Sequence, residues 1–182
     1  MQKMGKTEII GVRLKLIAPN IDYANQMFDY TSNENVTKFL SWEPHLKLEQ
    51  TENYIKQIID ENSSEKSHTW FVIEISTSKL LGVVRIFDIS LPNKRCEISY
   101  IINPRFQGLG YAAESLKMLI QELFTIYNFT RIQARCTIDN EASEKVMLKI
   151  GMRFEGVLDK YWFLKNTYED VKIYSIINPD SK

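Results

Sequence analysis

Residues 105–114 read Arg-Phe-Gln-Gly-Leu-Gly-Tyr-Ala-Ala-Glu, a glycine-rich turn that carries the chain from an apolar strand straight into an amphipathic helix. That helix is long enough to be a crossover, so the strand before it, Arg95 to Ile102, and the strand after it, Arg131 to Ile138, should lie parallel in one sheet. The turn itself suits anionic oxygens. A first helical turn leaves backbone N–H groups without intrahelical partners and carries the positive end of the helix dipole. Gly108 and Gly110, lacking Cβ, can take positive φ and let a ligand reach those amides. Arg105 adds a positive charge at the mouth.

The 182 residues suffice for one domain that buries roughly 70% of its unfolded surface, so residues 1–182 are read as a single domain. Lys plus Arg and Asp plus Glu number 23 each, with no long run of one sign, which gives no general grip on nucleic acid. No apolar run approaches the ~18 residues of a membrane span, and Met1 to Lys6 holds no signal-peptide stretch; no membrane is expected as a partner, and the expected location is the cytoplasm. Cys96 and Cys136 fall in apolar strand patterns and are read as core thiols. With two histidines and no CxxC or HxxxH spacing, no metal site is expected. Chemistry is left to carboxylates, hydroxyls and backbone.

Thr7 to Ala18 alternates as a first strand, and Pro19-Asn20 opens a helix to about Thr31. Val36 to Pro44 is apolar but proline-ended, which predicts an irregular or one-turn helical piece. Leu48 to Glu61 is a second helix, with Tyr54, Ile55, Ile58 and Ile59 facing inward. The period then changes to two. Thr69–Ile75, Leu80–Ile89 and Arg95–Ile102 are strands joined by short polar connections, hence antiparallel neighbours. Gly108 to Tyr127 is the long helix. After the strand from Arg131, Asn140 caps a helix from Glu141 to Ile150 that stops at Gly151. Phe154–Leu164 and Tyr168–Ile177 close the chain as a hairpin. The class is α/β (α+β): a mixed, mostly antiparallel central sheet of about seven strands, flanked by helices.

On the strand from Arg95, alternation sets Cys96, Ile98, Tyr100 and Ile102 on one face and Glu97, Ser99 and Ile101 on the other. A carboxylate so placed is either a solvated outer-face group or one aimed at a cleft. Ligands of α/β sheets favour the carboxyl ends of parallel strands, which here lie near Asn103 and Asp139.

The order of elements and these residues together resemble the GNAT superfamily of acyl-CoA-dependent N-acetyltransferases, over nearly the whole chain. Its signature loop stands here as Arg105, Gly108 and Gly110, continued by Tyr111, Ala112 and Glu114. The resemblance implies acetyl-CoA as the acyl donor, its pyrophosphate on Arg105, Gln107, Gly108, Leu109, Gly110, Tyr111 and Ala112. The pantetheine arm would lie against the backbone of Tyr100, Ile101, Ile102 and Asn103, where a parallel strand pair splays apart. Within the superfamily the chain is similar to the ribosomal-protein-alanine (Rim-type) branch, through Glu97-Ile98-Ser99-Tyr100, Asn140-Glu141-Ala142-Ser143, Lys149-Ile150-Gly151-Met152 and Tyr168-Glu169-Asp170. Many relatives place a tyrosine acid four residues before the glycine that ends the last helix; here that residue is Met147. Ser143, one turn earlier, matches the serine that this branch offers to the sulfur.

The resemblance makes Glu97 the acceptor of the amine proton, directly or through water, and Ser143 a hydrogen-bond donor to the leaving thiolate. A thiol of pKa ~8.5 leaves readily enough for a hydrogen bond to suffice. A protein α-amine, near ~7.7–8.0, is also easier to deprotonate than a lysine near ~10.4. Backbone N–H groups near Ile101 would stabilise the oxyanion. Asn140 is both N-cap and a contact to the cofactor arm. Phe39, Trp42 and Tyr161 are candidates for the amine groove, and Asp170 either orients the amine or pairs within the hairpin. Ser99 stands where relatives carry glycine beside the acyl group, which narrows that space and favours acetyl.

Three other readings stay open. Gly108-x-Gly110-x-x-Ala113 also fits a dinucleotide fingerprint, though the antiparallel strands upstream do not suit that fold. The missing tyrosine and Ser99 would suit a CoA-binding sensor without turnover. The amine itself is a protein N-terminus or a small molecule such as a polyamine or antibiotic, and the lack of an acidic block tilts this towards the N-terminus. The final hairpin offers a surface for a homodimer.

Overall fold

The computed structural model describes residues 8–63 and 67–181. Its frame is an eight-stranded sheet in the order β1-β2-β3-β4-β5-β6-β8-β7. The strands are β1 (Ile9–Ile10), β2 (Leu14–Ile17), β3 (His68–Glu74), β4 (Leu80–Ser90), β5 (Arg95–Ile102), β6 (Arg131–Thr137), β7 (Arg153–Leu164) and β8 (Thr167–Ile177). Every neighbouring pair is antiparallel except β5 and β6, which are parallel across the long helix, as that helix's length requires. The sheet has eight strands rather than about seven because the expected strand 7–18 is broken: Gly11 turns the chain, its N–H bonding to Leu14 O at 2.8 Å, and Ile9 pairs back with Leu16. Thr7, the expected start, lies outside the described residues.

The helices are α1 (Ala24–Thr31), α2 (Glu34–Thr37), α3 (Leu48–Ser63), α4 (Tyr111–Thr125) and α5 (Glu141–Lys149). Asn20 starts the first helical stretch by accepting from Asp22 N, so a short 3-10 turn precedes α1. Of the segment Val36 to Pro44, only Val36 and Thr37 are helical, as the end of α2, and the remainder is irregular turn and bend. In α3, Ile55 and Ile58 are buried but Ile59 is 38% exposed, because the inward stripe is narrower than its apolar content.

β3 is buried on both faces, and its side chains divide between two cores. Trp70 and Val72 meet Leu116, Leu119 and Leu123 of α4 on one face. Phe71 and Ile73 meet Met27 and Tyr30 of α1 and Ile55 and Ile58 of α3 on the other. Each such fully buried apolar side chain contributes roughly 1.5–3 kcal/mol, which keeps the central strands fixed while the ends of β5 and β6 diverge.

Candidate active site

β5 and β6 pair only at Arg95↔Arg131, Cys96↔Ile132 and Glu97↔Gln133. Beyond that register they part, and the stretch of β5 from Ile98 to Ile102 borders a cavity of about 540 Å³, a size suited to a small-molecule site. The splay leaves peptide groups on this edge of β5 without a strand partner. Gln107 closes its far end by donating to Ile102 O at 3.1 Å.

Past β5, Asn103 caps a 3-10 turn at Pro104–Phe106, and the chain then passes through Gly108 and Gly110 at φ of 77° and 83°. Such left-handed backbone favours glycine, and it sets Gly110 as the N-cap of α4. Among the described residues, the amides of Gly108 through Ala113 donate to no protein acceptor; Glu114 N, bonded to Gly110 O at 3.0 Å, is the first that does. A Cβ on Gly108 would meet no atom within 4 Å, so the hollow before these amides is open. The expected coenzyme A therefore fits, its diphosphate suiting the free amides and its amide-bearing arm the unpaired strand edge.

Arg13, from the β1–β2 turn, braces this loop from outside. Its Nε and Nη2 donate to Glu114 at 2.8 and 2.5 Å, Nη2 also reaches Leu109 O at 3.4 Å, and the guanidinium lies 4.7 Å from the Tyr111 ring centre. The Tyr111 hydroxyl in turn donates to Glu74 at 2.5 Å. Gly110→Ala should cost about 1–2 kcal/mol, the strain of a left-handed L-residue, divided between folding stability and coenzyme A affinity. Thermal unfolding and calorimetry together measure it, and no change in either would contradict the conformation described.

At the other end of the cavity, Asn140 Oδ1 accepts from Ser143 N at 3.1 Å, which caps α5. The Ser143 hydroxyl lies 3.0 Å from that of Tyr100. Met147, the residue four before Gly151, is buried and lines the cavity with Cys136. Burial pushes the Cys136 thiol up to about 11, with Lys172 pulling the other way, so it stays protonated near neutral pH. Both cysteines are free and buried, as read from the strand pattern.

Glu97 is 1% exposed, neither solvated nor open to the cavity. Both its oxygens are engaged: Arg135 Nε donates to one at 2.7 Å, and the other takes Arg135 Nη2 together with Gln133 Nε2 at 3.1 Å. Burial disfavours the Arg135 charge, but the Glu97 hydrogen bond and charge outweigh it and hold the guanidinium protonated. The pair spans β5 and β6 at the register where they separate, and Arg135 itself lines the cavity beneath Tyr161 and Trp162, 4.8 and 5.8 Å from their ring centres.

Of the expected residues, Tyr100, Ile101, Ile102, Gln107, Gly108, Gly110, Tyr111, Ala112, Asn140, Ser143 and Phe39 line the cavity, as does Ser99. Asn103, Arg105, Leu109, Trp42, Tyr161 and Asp170 do not. Arg105 reaches Asp29 at 3.3 Å, and Leu109 is 56% exposed. Trp42 packs instead on His45 and Tyr54, 5.0 and 5.8 Å between ring centres. Tyr161 sits above Arg135, and Asp170 accepts from Lys160 N at 2.7 Å, the pairing within the hairpin. Arg13, Arg135, Trp162 and the wall Asn35, Val36 and Leu40 were not singled out. The polar alternation Arg131, Gln133, Arg135 was a legible sign of a polar face on β6.

Residues 13–153 match the model of the acetyltransferase (GNAT) domain family. An uncharacterised N-acetyltransferase of Bacillus subtilis is 30% identical over 156 residues, 86% of this chain and 88% of the relative. A spermidine N(1)-acetyltransferase of Vibrio cholerae is 26% identical over 78% of this chain and 79% of its own length. A ribosomal-protein-serine acetyltransferase of Escherichia coli is 33% identical over 54% of this chain and 55% of its own. Among solved structures, a GNAT acetyltransferase from Bacillus anthracis superposes with a TM-score of 0.85 at 27% identity, covering 96% of this chain and all of that one. The Microcin C7 self-immunity acetyltransferase, solved with acetyl-CoA and AMP, gives 0.83 at 28%, covering 92% and 93%. A match that takes in most of the chain, on a sheet that opens where such an enzyme needs it to, shows that this protein belongs to the GNAT family of N-acetyltransferases.

Proposed function

We propose that this enzyme transfers acetyl from acetyl-CoA to the α-amine of a protein N-terminus. The observation that carries the choice is the lining of the cavity: among the described residues none is Asp or Glu, and the cation at the amine end, Arg135, is already matched by Glu97. A polyamine would find no carboxylate to meet its charges. An α-amine, titrating near ~7.7–8.0, is largely neutral just above physiological pH and needs little help to lose its proton. The similarity to both ribosomal-protein and spermidine acetyltransferases makes these the two amines to set against each other.

Acetyl-CoA supplies the activated acyl group. The amine nitrogen bonds to the carbonyl carbon, the carbon–sulfur bond breaks with its electron pair on sulfur, and the amine proton passes to solvent. The chain's residues act around these events. The Gly108–Ala113 amides hold the diphosphate, the edge of β5 aligns the arm, Ser143 donates to the departing sulfur, and Phe39, Leu40 and Trp162 wall off the amine. Glu97 keeps Arg135 in place at the apex of the splay.

Thiol release from acetyl-CoA tests this with three acceptors: a ribosomal-protein N-terminal peptide, the same peptide N-terminally blocked but carrying lysine, and spermidine. The free N-terminus should react fastest, with mass spectrometry placing the acetyl there. Its rate should rise with pH and level off above about 8, following the amine's own titration. Spermidine reacting faster would move the reading to a small amine. Binding of coenzyme A without turnover on any amine would leave a sensor.

A further inference from the structure

We propose that Tyr100 is a positioning residue for the thiolate-leaving step: its hydroxyl donates to Ser143 Oγ and thereby turns the Ser143 hydrogen into the cavity, towards the sulfur. This rests on the acetyl-CoA reading above and adds to it a role for the side chain of Tyr100, a residue expected to meet the arm through its backbone alone.

Serine hydroxyls in a helix usually fold back on a carbonyl three or four residues earlier. Ser143 does not; among the described residues the one partner of its Oγ is the Tyr100 hydroxyl, at 3.0 Å. The phenol has a second option in Ser143 O, but at 3.3 Å it is the longer. A phenol is a far stronger acid than an alkyl alcohol, so in a pair of hydroxyls it is the better donor. Burial pushes the Tyr100 phenol up to about 12, against the Ser143 hydrogen bond that lowers it, so it carries its proton at every working pH. As negative charge builds on sulfur, the order phenol to serine to sulfur aligns both hydrogens towards it, and each bond polarises the next. The tyrosine missing at Met147 is thus replaced by one on the neighbouring strand that acts through a serine rather than directly.

The test reads the thiol of bound coenzyme A by its ultraviolet thiolate absorbance, alongside calorimetric affinity and turnover. In Tyr100→Phe, which keeps the ring and its packing, the thiolate fraction of bound coenzyme A near pH 8 should fall about three- to tenfold, and kcat by a similar factor, with coenzyme A affinity within about twofold. Ser143→Ala should lower both further, and the double variant should be no worse than Ser143→Ala alone, because the tyrosine acts only through the serine. A thiolate fraction unchanged in Tyr100→Phe, or effects that add, would overturn the proposal. If Tyr100→Phe does not fold, 3-fluorotyrosine at position 100 keeps the hydroxyl, makes it a stronger donor and should raise the thiolate fraction; no rise would overturn it equally. Failure of the unaltered protein to bind coenzyme A would instead sink the acetyl-CoA reading.

Discussion

Glu97→Gln lowers the unfolding free energy by about 3–5 kcal/mol, the cost of leaving a buried guanidinium without its counter-ion. Arg135 and Glu97 have side chains only 11% and 2% exposed, so water cannot take the lost partner's place. The double variant Glu97→Leu/Arg135→Met should recover most of the loss, since replacing both members of a buried pair by well-packed apolar groups is often neutral. Denaturant unfolding of the parent and both variants measures this. If Glu97→Gln were as stable as the parent and lost only turnover, Glu97 would act as the proton acceptor instead of a brace.

Ser143→Ala should slow kcat by about 10- to 100-fold, corresponding to roughly 1.5–3 kcal/mol for a hydrogen bond to a charged group. Coenzyme A affinity should change far less, because the glycine loop proposed to hold the diphosphate lies at the opposite end of the cavity. The α5 cap should survive, since it is the Ser143 backbone N–H that Asn140 accepts from, and melting temperature is the control. A kcat within about twofold of the parent would mean that sulfur leaves unaided, as a thiol of pKa ~8.5 in principle can.

What could be read from the sequence was what is local. The loop at Gly108 and Gly110, the Asn140 cap and the Gly151 stop each depend on a few consecutive residues, and each stands where the pattern put it. The parallel β5–β6 pair followed from the length of α4. How far that pair runs did not follow, because the register ends where side chains distant in sequence meet. Glu97 meets Arg135, 38 positions on, and Arg13 meets Glu114, 101 positions on. The alternation of β5 therefore gave the face of Glu97 but not its partner. Trp42 lies off the cavity lining for a similar reason: its proline-ended loop folds back on α3, where His45 Nδ1 and Thr51 Oγ1 lie 2.8 Å apart.

The short seam between β5 and β6 also bears on how such an enzyme can be made sturdier. Prolonging the ladder past Gln133 would join the two halves of the sheet more firmly, and it would do so with the same peptide groups that are proposed to align the acyl carrier. A hardened version of this protein would then have a more complete sheet and nowhere to dock its reagent, so gains in robustness are better sought in the two cores, away from the gap.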